Sequence, residues 1–405
     1  MVSRTFSPSP AQPDAPEPLS WDIFCTVIDN YGDIGVCWRL ARQLAHEQGA
    51  TVRLWVDDLA SFGRLCQELN PALPRQTVAG IEVRHWPRNW QPAADDQPYQ
   101  IVVEAFGCPL PESWLARMAA QTPPPAWINL DYLSAEDWVE GCHGLPSRHP
   151  RLPLTQHFYY PGFTARTGGL LCERGLTAAR QAWQQQQGTQ SGLTELFPGL
   201  DMADGALLVP LFCYPNPALA GLLTTWEHNQ RPVHLIVPIG VAQSQLAGFC
   251  GRPLLTGERW QRGGLSISVV PFVPQPAYDR LLWSADLAFV RGEDSFTRAQ
   301  WAARPFVWHI YPQDEDAHLL KLDAFLQRYR ADLPATTSTA LRDFWHAWNA
   351  GNAAGCVQHW PALLAALPTL TAHAERWSKH LESLGNLADN LSGFCRKIRQ
   401  NAAST

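Results

Sequence analysis

The order of hydrophobic segments constrains this chain more than any other feature. Short apolar runs of strand length alternate with stretches of helical periodicity, and the series occurs twice. Residues 23–28 form the first run. A polar loop follows, and then Val36, Leu40 and Leu44 recur every four residues, laying one apolar stripe along a helix that ends near Gly49. Further strands are predicted over 51–56, 81–86, 100–106 and 127–130, with helices over 58–69 and 112–120. After a polar run at 184–187 the second series places strands over 207–214, 233–239, 266–273, 286–290 and 306–311, and helices over 217–228, 277–284 and 317–329. Such alternation predicts parallel sheets covered by helices on both faces. The expected fold class is α/β, with two doubly wound, Rossmann-like domains facing across a cleft and ligands at the C-terminal ends of the strands. The first domain is expected over 21–185 and the second over 200–370. The polar helical segment 371–405 is expected to cross back onto the first domain, and the Pro-rich residues 1–20 to form a disordered tail.

Composition narrows the function classes. A chain of 405 residues holds two domains more readily than one, and 46% hydrophobic against 17% charged residues excludes a disordered chain. The net charge of −6 leaves no basic surplus to neutralise a row of phosphates, so no nucleic-acid partner is expected. Ten Cys are scattered singly, and the closest two in sequence, Cys25 and Cys37, form no C-x-x-C motif. Zinc-ribbon and thioredoxin-type readings therefore lack support, and unpaired thiols point to a reducing compartment. The N-terminal residues show no apolar signal-peptide core, and the long uncharged run 205–226 is broken by Pro210, Pro215 and Pro217. A cytoplasmic protein without a membrane partner is expected. The eighteen Trp fit either packed cores or stacking on sugars and bases.

Two loops concentrate polar chemistry. Asp29 and Asp33 bracket Asn30, Tyr31 and Gly32 in the turn between the first strand and its helix, where an open α/β sheet meets its cleft. Ordinary helix capping by an acid explains part of this pattern, and paired carboxylates at a cleft mouth explain it as chemistry. The second loop reads Arg291, Gly292, Glu293, Asp294, Ser295, Phe296, before a predicted helix. Backbone N–H groups at a helix start, with a guanidinium beside them, suit a diphosphate without a metal. Asp294 and Ser295 are also common caps, whereas Glu293 would oppose a bound anion unless it had another task. Phe212, Tyr214 and Phe272 end strands of the second series and could stack on a base, with Gln275 reading its edge. Core packing is the alternative for each ring. His309, Asp314, Asp316 and His318 are close in sequence, but the two acids start a helix and no further ligand completes a set, so no metal is expected.

The runs Asp29-Asn-Tyr-Gly-Asp-Ile-Gly-Val-Cys-Trp-Arg-Leu, Phe289-Val-Arg-Gly-Glu-Asp-Ser-Phe and Phe306-Val-Trp-His-Ile-Tyr-Pro-Gln resemble those of the bacterial protein-arginine rhamnosyltransferases that modify elongation factor P. The resemblance spans essentially the whole chain after residue 20. It implies a GT-B fold and an inverting transfer of L-rhamnose from dTDP-β-L-rhamnose to one arginine of elongation factor P, activating that factor for rescue of polyproline-stalled ribosomes. No cofactor beyond the donor substrate is implied. By the same resemblance Asp33 is the general base, Asp29 and Glu293 are catalytic, and the donor meets Phe212, Tyr214, Phe272, Gln275, Arg291, Asp294 and Ser295. Asn30, Tyr31, Gly32 and Gly292, in the two cleft loops, are expected to bind the donor as well. The same motifs are compatible with a nucleotide-sugar enzyme of another acceptor, or with a binder of a translation factor that does no chemistry. Three acids in a cleft argue against the binder.

Overall fold

A computed structural model describes residues 17–28, 31–185, 189–313 and 317–403 of the chain. The first half runs β1 (Ser20–Cys25), α1 (Gly32–Gln48), β2 (Thr51–Val56), α2 (Leu59–Leu65), β3 (Arg75–Val78), β4 (Ile81–His85), β5 (Ile101–Ala105), α3 (Glu112–Ala119), β6 (Ala126–Leu130), α4 (Val139–Cys142), β7 (Pro146–Arg148) and β8 (Thr155–Tyr159). These strands make one eight-stranded sheet in the order β3-β4-β2-β1-β5-β6-β8-β7, parallel from β4 to β8, with antiparallel edges.

Alternate residues of β1 show why the sheet is covered on both faces. Trp21, Ile23 and Cys25 join the core beneath α1, whereas Phe24 points to the other face, into a cluster with Trp55, Trp86 and Trp114. Asp22 is wholly buried among them, and its carboxylate is answered by Arg53, by the Trp55 indole N–H at 2.9 Å and by the Tyr99 N–H at 2.7 Å. Below the sheet α1 presses its Val36-Leu40-Leu44 stripe, and Gly49 ends the helix at φ +66° with its N–H on Leu44 O.

The second half continues with α5 (Leu176–Gln185), α6 (Thr189–Leu196), β9 (Leu207–Pro210), α7 (Leu219–Glu227), β10 (Val233–Pro238), α8 (Gln243–Cys250), β11 (Arg259–Arg262), β12 (Leu265–Val270), α9 (Gln275–Ser284), β13 (Ala288–Arg291), α10 (Asp294–Trp301), β14 (Phe306–His309), α11 (Ala317–Tyr329), α12 (Ala335–Asn349), α13 (Ala353–Ser383) and α14 (Leu387–Ala403). Its strands run β11-β12-β10-β9, and a bridge from Leu211 to Phe289 sets the parallel pair β13-β14 beside β9. The two α/β units face each other across a cleft, the GT-B arrangement. In the first unit the strand order turns at β1, between β2 and β5. In the second it turns at β9, between β10 and β13. Both switch points open onto the cleft.

Several expected bounds differ from the structure. The first strand stops at Cys25, and Ile28 stands 62% exposed in the loop. The strand expected to reach residue 214 ends at Pro210, so Phe212 and Tyr214 lie beyond it. Helix α5, expected in the first domain, packs on α9 of the second half, with Trp183 Nε1 donating to Ser284 Oγ at 2.9 Å. The terminal helical segment is two helices: α13 carries Pro361 and Pro368 inside it, and α14 packs on α1 and β6. Most tryptophans fill cores: Trp21, Trp55, Trp114, Trp226, Trp301, Trp345, Trp348 and Trp360 are fully enclosed. Among the described residues no helix is long and apolar enough to cross a membrane.

Candidate active site

The two switch points meet in a pair of adjoining cavities that share Gly32 and Gly292. One, of about 620 Å³, is lined by Tyr31, Phe212, Phe272, Gln275, Tyr278, Arg291, Asp294 and Ser295. The other, of about 780 Å³, is lined by Ile28, Asp33, Tyr132, Glu293, Trp308, Tyr311 and Lys321. The first is aromatic and basic, the second aromatic and acidic.

Local structure explains the division. Gly292, at φ +61°, turns the chain sharply between β13 and α10, aiming Arg291 to one side and Glu293 to the other. The Arg291 guanidinium lies 4.4 Å from the Phe212 ring centre and 4.8 Å from that of Tyr214, and its Nη1 donates to Cys213 O at 3.1 Å. Held this way on two rings, it keeps further N–H groups for an anion. Beside it, the first turn of α10 has no side-chain cap. Phe272 meets Tyr31 across the cleft at 5.1 Å between ring centres, and the Tyr31 hydroxyl accepts from Arg64 Nη1 at 2.9 Å.

In the acidic cavity Asp33 is 2% exposed, in the first turn of α1, and its Oδ2 accepts the Ile28 N–H at 2.7 Å. The Tyr132 hydroxyl hydrogen-bonds to the same carboxylate, and the Tyr132 ring stacks on Phe106 with 4.6 Å between centres. Glu293 keeps part of its surface open to the cavity while protein encloses the rest of its carboxyl. Burial first, and then the charges of Asp33 and Asp131, push its pKa up to about 8, against the Leu133 N–H that it accepts and the nearby Lys321. Glu293 is therefore mostly protonated at neutral pH.

Not every expected contact faces a cavity. The Tyr214 ring packs between His309 and Tyr311, behind Arg291, and is absent from the lining of the aromatic cavity. Its ring lies against the Arg291 guanidinium. The Asp294 carboxylate lines the cavity and accepts from Arg39 Nε at 2.8 Å, which fixes its direction. Gln275 Nε2 donates to Gly35 O at 3.1 Å and to Asp294, which leaves Oε1, buried and without a partner among the described residues. Ser295 Oγ accepts from the Arg291 N–H and donates back to the Arg291 carbonyl, so the hydroxyl tightens the turn. Asp29 and Asn30 lie outside the described residues, as do Asp314 and Asp316. Burial drives the His309 pKa down to about 4, and among the described residues no group of His, Cys, Asp and Glu is gathered as a metal centre. Tyr132, Tyr278, Tyr311 and Lys321 were not anticipated. Tyr132 had a signal, since it directly follows β6 at the sheet's C-terminal edge. Lys321, mid-helix in α11, had none.

A family model for the elongation-factor P rhamnosyltransferase EarP matches residues 21–396. The chain belongs to the EarP family. It is 48% identical over 378 residues to the protein-arginine rhamnosyltransferase of Pseudomonas putida, covering 93% of this chain and 98% of that one. It is 46% identical over 376 residues to the enzyme of that name from Pseudomonas aeruginosa, with the same coverage. A solved structure described as the structural basis for EarP-mediated arginine glycosylation of translation elongation factor EF-P superposes with a TM-score of 0.66 at 36% identity, over 94% of this chain and 99% of that one. This member of the EarP family is thus a glycosyltransferase, and the adjoining cavities lie where its two α/β units meet.

Proposed function

We propose that this chain moves L-rhamnose from dTDP-β-L-rhamnose to an arginine side chain of elongation factor P, with inversion at the anomeric carbon and without a metal. The observation that carries the reading is the junction of the two cavities: an acidic, aromatic-walled chamber opens at Gly32 and Gly292 onto one holding a guanidinium and an uncapped helix start. A cationic acceptor and an anionic donor would meet at that junction.

In this reading thymine lies among Phe212, Phe272 and Tyr31, and the free Gln275 Oε1 accepts its imide N–H. The diphosphate meets Arg291 and the backbone N–H groups of Gly292 to Ser295, which take up the charge of the departing dTDP. The acceptor guanidinium enters the other cavity. Its pKa of about 13.8 makes prior deprotonation at pH 7 cost roughly 9 kcal/mol, so the proton leaves late. The guanidinium nitrogen forms its bond to the anomeric carbon as the carbon–oxygen bond to the diphosphate breaks, and Asp33 accepts the nitrogen's proton. Ile28 and Tyr132 hold Asp33 in place for that transfer. Glu293 and, by family resemblance, Asp29 draw charge away from the attacking nitrogen. The incoming cation favours the ionised form of Glu293, which then grips it.

Intact-mass analysis of elongation factor P, incubated with this protein and dTDP-rhamnose, tests the reading. A gain of one deoxyhexosyl unit, lost when the acceptor arginine is changed to lysine, is expected. Donor turnover with no gain on that acceptor would point to another acceptor. Binding of the factor without donor turnover would point to a non-catalytic binder.

A further inference from the structure

The helix that carries Asp33 and the helix that follows Glu293 are joined by buried charge. Arg39, 3% exposed on α1, reaches three carboxylates: Nε donates to Asp294 at 2.8 Å and Nη2 to Asp279 at 3.2 Å, both of the second unit, and Nη1 to Glu173 at 3.1 Å. Arg298 on α10 holds two of the same acids, donating to Glu173 at 2.6 Å and to Asp279 at 2.9 and 2.8 Å. Burial and the neighbouring Arg298 oppose the charge on Arg39, but Asp279, Asp294 and Glu173 outweigh them and hold it cationic. Next to this network Gln275 Nε2 donates to Gly35 O, and the absence of a side chain at Gly35 lets the helices close: a Cβ there would stand 3.3 Å from the Cβ and Oδ2 of Asp294.

Interfaces between domains of one chain are mobile by default, and a buried ion pair is seldom more stabilising than apolar packing of the same volume. A guanidinium fork fixes direction as well as distance. Here the fork sits between the element that presents Asp33, six positions earlier on α1, and the turn that presents Glu293, the neighbour of Asp294. We propose that Arg39 is a positioning residue, locking α1 against α10 so that Asp33 and Glu293 stand at the spacing arginine transfer requires, an inference that rests on the function proposed above. Arg39 touches neither cavity. Its effect passes through the helices.

Two variants test this. Arg39→Lys keeps the charge and removes the fork; Gly35→Ala leaves every charge in place and wedges α1 away from Asp294. In both, kcat should fall roughly 10- to 100-fold, the scale of a misplaced reacting group, and by clearly more than the calorimetric affinity for dTDP, which changes only as far as Tyr31 and Gln275 move with α1. Small-angle scattering should show the two halves further apart. Unchanged kcat beside a lowered melting temperature would make the network merely structural and overturn the inference. So would loss of dTDP affinity in step with kcat. If Arg39→Lys does not fold, Gly35→Ala decides. If the wild type itself transfers nothing to elongation factor P, the function reading fails, and scattering then decides the lock by itself: unchanged scattering in both variants refutes it.

Discussion

Replacing Glu293 by Gln should stabilise this protein in alkali while impairing its catalysis. The carboxyl is raised from 4.5 to about 8, so the native form holds a proton that the unfolded chain releases across that interval. Stability from this group is therefore complete below pH 4.5 and is withdrawn as pH climbs through 8. Three and a half pH units (8 less 4.5) at about 1.36 kcal/mol each set a ceiling near 5 kcal/mol, and solvent in the cavity cuts it to roughly half. Glutamine matches the protonated acid in shape and cannot ionise. Denaturant melts of both proteins at pH 5, 7 and 9 should superpose at pH 5 and separate by about 2 kcal/mol in favour of Glu293→Gln at pH 9. The same variant should transfer rhamnose slowly, a stability gained at the expense of function. Parallel loss of stability in both proteins above pH 7 would show that Glu293 is already ionised in the native state, and its assignment as a protonated acid would be wrong.

Asp33→Asn retains an oxygen for the Ile28 N–H and loses the proton acceptor, so kcat should drop by roughly two orders of magnitude or more with dTDP affinity preserved; near-normal turnover would dismiss Asp33 as the base. Phe272→Ala should weaken dTDP binding about 5- to 150-fold by calorimetry at an unchanged melting temperature, because the ring lines a cavity; a large fall in melting temperature with normal affinity would mean that it is core. Treatment with EDTA should leave rhamnosyl transfer unaltered, and loss of activity restored by Mg²⁺ would revive a metal role around His309 and His318.

The sequence made the alternation of strands and helices legible because apolar runs and a four-residue stripe are local properties. The turn of order at β1 and β9 was not local, and neither was α13: a helix through Pro361 and Pro368 defies propensity and persists because Trp360, Leu363, Leu367, Leu370 and Trp377 bury one side of it. At the site, Asp33, Glu293 and Arg291 could be placed because strand-to-helix turns face the cleft. Which way each side chain turned could not. That Arg39, 255 positions away, would hold the Asp294 carboxylate was not legible either. That the Tyr214 ring would lie against the Arg291 guanidinium was equally hidden. Tyr132, just past the predicted strand at 127–130, could have been found by the same argument, and its distance of two strands from β1 could not.

Helix α14 has a consequence for how the chain is made. Its Leu387, Ala388, Leu391 and Cys395 complete the core beneath the first sheet, beside Leu40, Leu44 and Tyr159. Gln48 donates to Asp389 at 2.9 Å, and Asn390 donates to Gly168 O at 3.1 Å. A ribosome builds the other end first, so the amino-terminal unit must wait, with that flank bare, until residues 387–395 emerge. A chain released early, before residue 387, leaves an apolar groove under an otherwise finished sheet, a mark by which quality control can tell a truncated product from a whole one.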